Sequence, residues 1–140
     1  MRLYTMHIFN RQGACLYYRE WERPRGPKRA EGLAEEHKLM FGFLFSLKQL
    51  VAKMSSRRGD GFHACSTCAY KLHCFEAASG LRFVLCTEPG AADLREVLRH
   101  VYAGIFVECI TQNSLCRAPH DEPISCPAFV QALESYLESL

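Results

Sequence analysis

LAEEHKLMFGFLFSLKQLVAKM, residues Leu33 to Met54, is the stretch whose reading decides the fold. At the helical period Leu33, His37, Met40, Leu44, Leu47, Val51 and Met54 recur every three or four residues and form one apolar stripe. A single stripe is what any helix packed on a core requires. The middle of this one is apolar all round: no charge occurs between Leu39 and Leu47, and Leu39, Phe41, Phe43 and Phe45 are expected to point away from the stripe. A helix hydrophobic on every side must be covered on more than one side. Gly42 sits inside it, at a cost of about 1 kcal/mol relative to alanine, so a close neighbour against the backbone is expected there. The cover is either two layers of the same domain or one layer and another protein. The flanking sequence has to separate these.

Upstream, Leu3–Phe9 (LYTMHIF) is rich in strand formers, Asn10-Arg-Gln-Gly13 is a turn, and Ala14–Trp21 returns as a second strand. Glu22 to Gly32 carries Pro24, Gly26, Pro27 and Gly32 among Arg23, Arg25, Lys28 and Arg29, the composition of a solvated basic loop. The loop is read first as a solvated connection; the second reading is attraction to an anionic membrane, at about 1 kcal/mol per basic residue near the surface, which would assist peripheral membrane contact without anchoring the chain.

Downstream, Ser55 to Gly61 is turn-like, and Phe62–Cys68, Tyr70–Glu76 and Leu81–Thr87 read as three strands, with Ala77 to Gly80 as a tight connection. LRFVLCT is almost wholly apolar and is expected at the sheet centre, covered on both faces. Asp93 and Glu96 have capping-box spacing at the start of a second helix bearing Leu94, Val97, Leu98, Val101, Tyr102, Ile105, Phe106 and Cys109. Asn113 to Glu122 is irregular. Ser125, with Pro127 in the first turn, opens a third helix with Phe129, Val130, Leu133, Tyr136, Leu137 and Leu140 on one face. The order ββαβββαα makes one five-stranded, mostly antiparallel sheet of α+β class with helices on two faces.

The 140 residues are expected to form a single domain, 1–140, burying about two-thirds of the surface the unfolded chain exposes. A formal charge of +2 is too small to imply nucleic acid. Leu3–Phe9 is too short for the apolar core of a signal peptide, so a cytosolic location and reduced thiols are expected for the eight cysteines. Cys65-Ser-Thr-Cys68, with Cys74 and His63 or His73, spells a zinc set on paper. Strand residues three apart point to opposite faces, however, so the thiols are read as small hydrophobes. No Gly-rich phosphate loop, G-x-S-x-G elbow or H-E-x-x-H pair is present. Glu35 and Glu36 suit the positive end of the helix dipole, and His37 and His100 have apolar neighbours. No cofactor, metal or catalytic residue is expected.

FNRQGACLYYREW (Phe9 to Trp21), EEHKLMFGFLFSL (Glu35 to Leu47), YKLHCFEAASGLRFVLCT (Tyr70 to Thr87) and LREVLRHVYAGIFVE (Leu94 to Glu108) resemble, in register and in order, the subunit 1 family of the TRAPP (transport protein particle) tethering complex. The likeness runs over about Leu3 to Cys116. It implies a longin fold, a five-stranded antiparallel sheet with one helix on one face and two on the other. The first helix would then lack cover of its own, and Leu39, Phe41, Phe43 and Phe45 would meet another TRAPP small subunit. The resemblance further implies a non-catalytic part in nucleotide exchange on a Rab-family GTPase, in transport between endoplasmic reticulum and Golgi, with a cytoplasmic, peripheral location at those membranes. Glu35, Lys38, Gln49 and Lys53, on the exposed side of the first helix, are the GTPase-facing candidates. The alternative is a longin domain of sedlin or adaptor type acting in trafficking outside TRAPP; a zinc or thiol enzyme built on Cys65 and Cys68 is the third reading.

Overall fold

Strand β1 (Leu3–Phe9) pairs antiparallel with β2 (Cys15–Glu20) in a register that sets His7 opposite Tyr18 and Ile8 opposite Tyr17. The turn between them is held by the Asn10 side chain, whose Oδ1 accepts the Ala14 N–H at 2.9 Å, while the Gly13 N–H donates to the Asn10 carbonyl at 3.1 Å. Gly13 has φ +92°, and a Cβ there would lie 2.9 Å from the Phe41 ring. Glycine is required twice over: by the backbone and by the helix lying above it.

The computed structural model describes residues 2–22, 30–54, 64–77, 79–111, 124 and 126–140. The basic residues 23–29, the turn at 55–61, His63, the irregular stretch at 113–122 and Ser125 lie outside them. Helix α1 spans Ala30–Met54 and so starts inside what reads as loop up to Gly32. Ala30 and Glu31 are good helix formers by sequence. Then come β3 (Ala64–Ser66), β4 (Lys71–Glu76) and β5 (Arg82–Thr87). β3 stops before Cys68 because the Thr67 hydroxyl accepts the Ala69 and Tyr70 N–H groups at 3.3 and 3.1 Å, which turns the chain.

Strand order is β2-β1-β5-β4-β3, every pairing antiparallel. All six residues of β5 are buried, as a strand covered on both faces should be. On one face Met6, Ile8, Phe83 and Leu85 meet α2 (Arg95–His100), its π-helical continuation (Val101–Thr111) and α3 (Pro127–Glu138) through Leu98, Val101, Ile105, Phe106, Phe129, Leu133 and Leu137. The Phe106 ring links Phe83 at 5.6 Å to Phe129 at 5.9 Å. On the other face Phe9, Leu72, Cys74, Val84 and Cys86 lie beneath α1. This is the α+β, longin-like arrangement: a five-stranded antiparallel sheet between one helix and two.

Two details of the helices differ from the expected ones. The capping box is not made: Leu94 is the N-cap and carries no side-chain cap, Asp93 Oδ1 accepts the Arg95 N–H at 3.1 Å in a turn just before the helix, and Glu96 accepts from Arg99 at 3.0 Å. After His100 the helix widens to π geometry, whose hydrogen bonds reach five residues, and Val101, Ile105 and Phe106 stay on the buried side. Before α3 the Ile124 N–H donates to the Leu16 carbonyl at 2.7 Å, and Arg19 pairs with Glu134 at 3.4 Å. Both tie α3 to the edge strand β2.

Gly13→Ala should lower stability by about 1–3 kcal/mol, read as a fall in the urea midpoint. An unchanged midpoint would show that Phe41 is not seated over the turn.

Candidate partner interface

One side of α1 is fixed by the sheet. Leu44, 2% exposed, is its anchor, and Met40 and Phe41 pack beside it. His37 stands over β1 and β2, its ring 5.1 Å from His7 and 4.9 Å from Tyr18. Phe41 lies 5.8 Å from Phe9, with the Arg82 guanidinium 4.9 Å from its ring. Farther along, Lys48 Nζ bonds Glu76 Oε1 on β4 at 2.8 Å. The helix therefore crosses the sheet from β2 towards β4.

Phe41 is thus on the sheet side and not on the outer side with Leu39, Phe43 and Phe45. It lies four residues after His37 and three before Leu44, one face of a helix. Met54 is corrected the other way: it continues the expected buried stripe, yet it is 77% exposed, because the helix has run past its contacts with the sheet. Gly42 has nothing within 4 Å of where a Cβ would stand, so no close neighbour explains it among the described residues.

The outer side is apolar in a defined pattern. Leu39 (67% exposed), Phe43 (42%), Leu50 (53%) and Met54 follow one another at steps of four, seven and four residues and make one strip. Phe45, 48% exposed, is two residues from Phe43 and so about 200° around the helix, on the opposite flank. Glu35, Lys38, Gln49 and Lys53 are all exposed, as their positions imply. Leu50 escaped the sequence reading, although its spacing of seven from Phe43 was a usable signal.

The cysteines and histidines do not converge. Among the described residues no three His, Cys, Asp or Glu side chains are grouped to hold a metal ion. Cys65 ends up on β3, Cys68 exposed in the following turn, and Cys74 inside the core under α1. Burial pushes the Cys74 thiol up to about 12 and the Cys15 thiol up to about 11, away from the reactive thiolate. His73 is buried, and its Nε2 lies 3.0 Å from the Thr87 hydroxyl. Since that hydroxyl donates to the Glu88 carbonyl, it is left to accept from His73 Nε2–H. Burial first, then the Lys71 ammonium, holds His73 down at about 4, a neutral structural histidine. His100 lies exposed, its ring 4.6 Å from Tyr136 and against Gly104. No helix is long and apolar enough to cross a membrane among the described residues.

The described residues define a longin-like α+β domain whose single-sided helix has one apolar side buried and another exposed. The comparisons with known proteins agree. The Sybindin-like family profile matches residues 3–140, and the chain belongs to that family. It is 39% identical over 143 residues to trafficking protein particle complex subunit 1 of Homo sapiens, covering 100% of this chain and 94% of that protein. The subunit 1 of Dictyostelium discoideum is 35% identical over 141 residues, covering 99% and 96%. A chain from the solved signal recognition particle receptor SRb-GTP/SRX complex of Chaetomium thermophilum shares the fold, with a TM-score of 0.54 and 16% identity over 99% of this chain and 98% of that one.

Two outcomes follow from this geometry. In the isolated chain Leu44→Ala should cost about 2–5 kcal/mol by urea unfolding, whereas Leu39→Ala should stay within about 0.5 kcal/mol; equal costs would place the strip inside the core. His73 has a folded pKa below its unfolded value near 6.5, so the unfolded chain binds the extra proton. Its contribution is fully present above about pH 6.5 and is lost as pH falls towards about 4. His73→Gln should flatten the fall in urea midpoint across that window; a parallel fall would show that His73 titrates normally.

Proposed function

We propose that the chain is a small structural subunit of a trafficking protein particle complex and contributes to the composite surface that promotes nucleotide exchange on a Rab-family GTPase in transport from endoplasmic reticulum to Golgi. The observation that carries this is the strip Leu39, Phe43, Leu50 and Met54, exposed on a helix whose other side is already buried. Covering the exposed part of each such side chain stabilises an assembly by about 1 kcal/mol, which suits a lasting partner. The relatives named as subunit 1 of a trafficking protein particle complex support that assembly as its source.

Exchange by such a complex needs no bond-making. A surface that binds the nucleotide-free GTPase more tightly must, by linkage, weaken nucleotide binding by the same factor, and each 1.4 kcal/mol is about tenfold. The raised thiols of Cys15 and Cys74 and a neutral, buried His73 fit a subunit that contributes surface. Glu35, Lys38, Gln49 and Lys53 are the residues of this chain proposed to face the GTPase, within the assembled complex. The subunit is proposed to act on the cytoplasmic side, peripheral to the Golgi and endoplasmic reticulum, where the basic residues Arg23, Arg25, Lys28 and Arg29 would be attracted to anionic lipid.

Co-expressed with the other small subunits, the wild-type chain should co-purify with them, and Phe43→Glu should abolish that assembly by burying an unpaired carboxylate. Assembly that survives unchanged would move the interface off this strip. The purified chain alone should show little exchange activity; robust exchange without partners would contradict the division of labour.

A further inference from the structure

The flank of α1 opposite the apolar strip has a different character. There the turn after β1 and the turn after β4 come together: the Arg11 side chain lies against Gly80, and its Nη2 donates to the Ser79 carbonyl at 3.4 Å. Arg82, 9% exposed, stacks on Phe41. Its Nε is 3.8 Å from Glu76 Oε2, too long for a hydrogen bond, because Lys48 holds the other oxygen of that carboxylate at 2.8 Å. Arg82 Nη1 is buried with no hydrogen-bond partner. Phe41, Phe45 and Lys48 follow at steps of four and three residues along this flank, and Lys38 precedes Phe41 by one turn.

Two cations therefore share one carboxylate, one of them under the half-buried ring of Phe41 and one turn from the exposed Phe45. A second carboxylate would balance the charge, held by the exposed Lys48 and by the edge of Arg82 that still meets solvent. We propose that this flank seats an aspartate or glutamate side chain of a neighbouring protein subunit, the carboxylate taken by Arg82 and Lys48 and an adjoining apolar residue packing on Phe45. The proposal rests on the assembly reading above but concerns the other flank of the helix. An anionic lipid surface fits less well, since it needs a broad exposed basic plane, and Arg82 is nine-tenths buried.

The test has two arms. The isolated full chain, ¹⁵N-labelled, is titrated at low salt with a capped hexaglutamate peptide and, as control, capped hexalysine, following the Arg82 Nε–H resonance. Hexaglutamate should move that resonance saturably, Lys48→Ala should weaken the effect at least about threefold, and hexalysine should leave it unmoved. No movement at Arg82, or the same response in Lys48→Ala, overturns the seat. In the co-expressed complex, Phe45→Ala with Lys48→Ala should weaken assembly about threefold to tenfold and flatten its dependence on sodium chloride. If the peptide binds but this double variant assembles like wild type, the flank binds acid without docking a subunit, and the proposal falls. Loss of assembly with Phe43→Glu but not with this double variant would keep the strip and discard the seat. The reverse would discard the strip and keep the seat.

Discussion

One helix laid alone across a sheet can bury only about half its circumference, and that constraint organises this protein. Leu44, Met40, Phe41 and His37 spend the sheet side of α1 on Phe9, Val84, Leu72 and the β1–β2 aromatics. The opposite face of the sheet has α2, its π-helical continuation and α3, which cover one another as well as the strands. Among the described residues nothing of this chain covers the outside of α1. The strip there is therefore not surplus core. It is a surface left for something else.

On the proposed reading, the two flanks of that helix divide the work of recognition in physical terms. Leu39, Phe43, Leu50 and Met54 offer apolar area, which is favourable to bury and indifferent to direction. Phe45, Lys48 and Arg82 offer charge beside an aromatic ring, which fixes register and orientation more than it adds affinity. Both depend on the same seating. Gly13 lets Phe41 descend onto the β1–β2 turn, and Phe41 in turn carries Arg82. A residue at the far end of the hairpin thus sets where the helix presents its outer faces.

Much of the fold was legible because period and turn chemistry agreed. The alternation and turn residues placed all five strands, and the wholly apolar LRFVLCT marked the centre of the sheet correctly. Strand ends were less legible where a side chain competed with the ladder, as the Thr67 hydroxyl does in halting β3 before Cys68. The change to π geometry after His100 leaves no mark in the apolar spacing, since Val101, Ile105 and Phe106 fit either helix. On α1 the overall excess of apolar residues was readable, but its division was not. Phe41 could have been assigned to the sheet side from its spacing to His37 and Leu44. Met54 could not be assigned, because where the sheet runs out beneath the helix is a property of the tertiary structure. The unpartnered Nη1 of Arg82 was likewise invisible, since it depends on how the fold closes Phe41 over that side chain.

The central claim is that the outer side of α1 is open in the chain and closed in an assembly. Hydroxyl-radical footprinting of Leu39, Phe43, Leu50 and Met54, in the chain alone and in the complex co-purified with its partner subunits, measures this directly. The account predicts strong labelling of all four in the free chain and protection of the four together in the complex. Equal labelling in both states, or protection already present in the free chain, would contradict it.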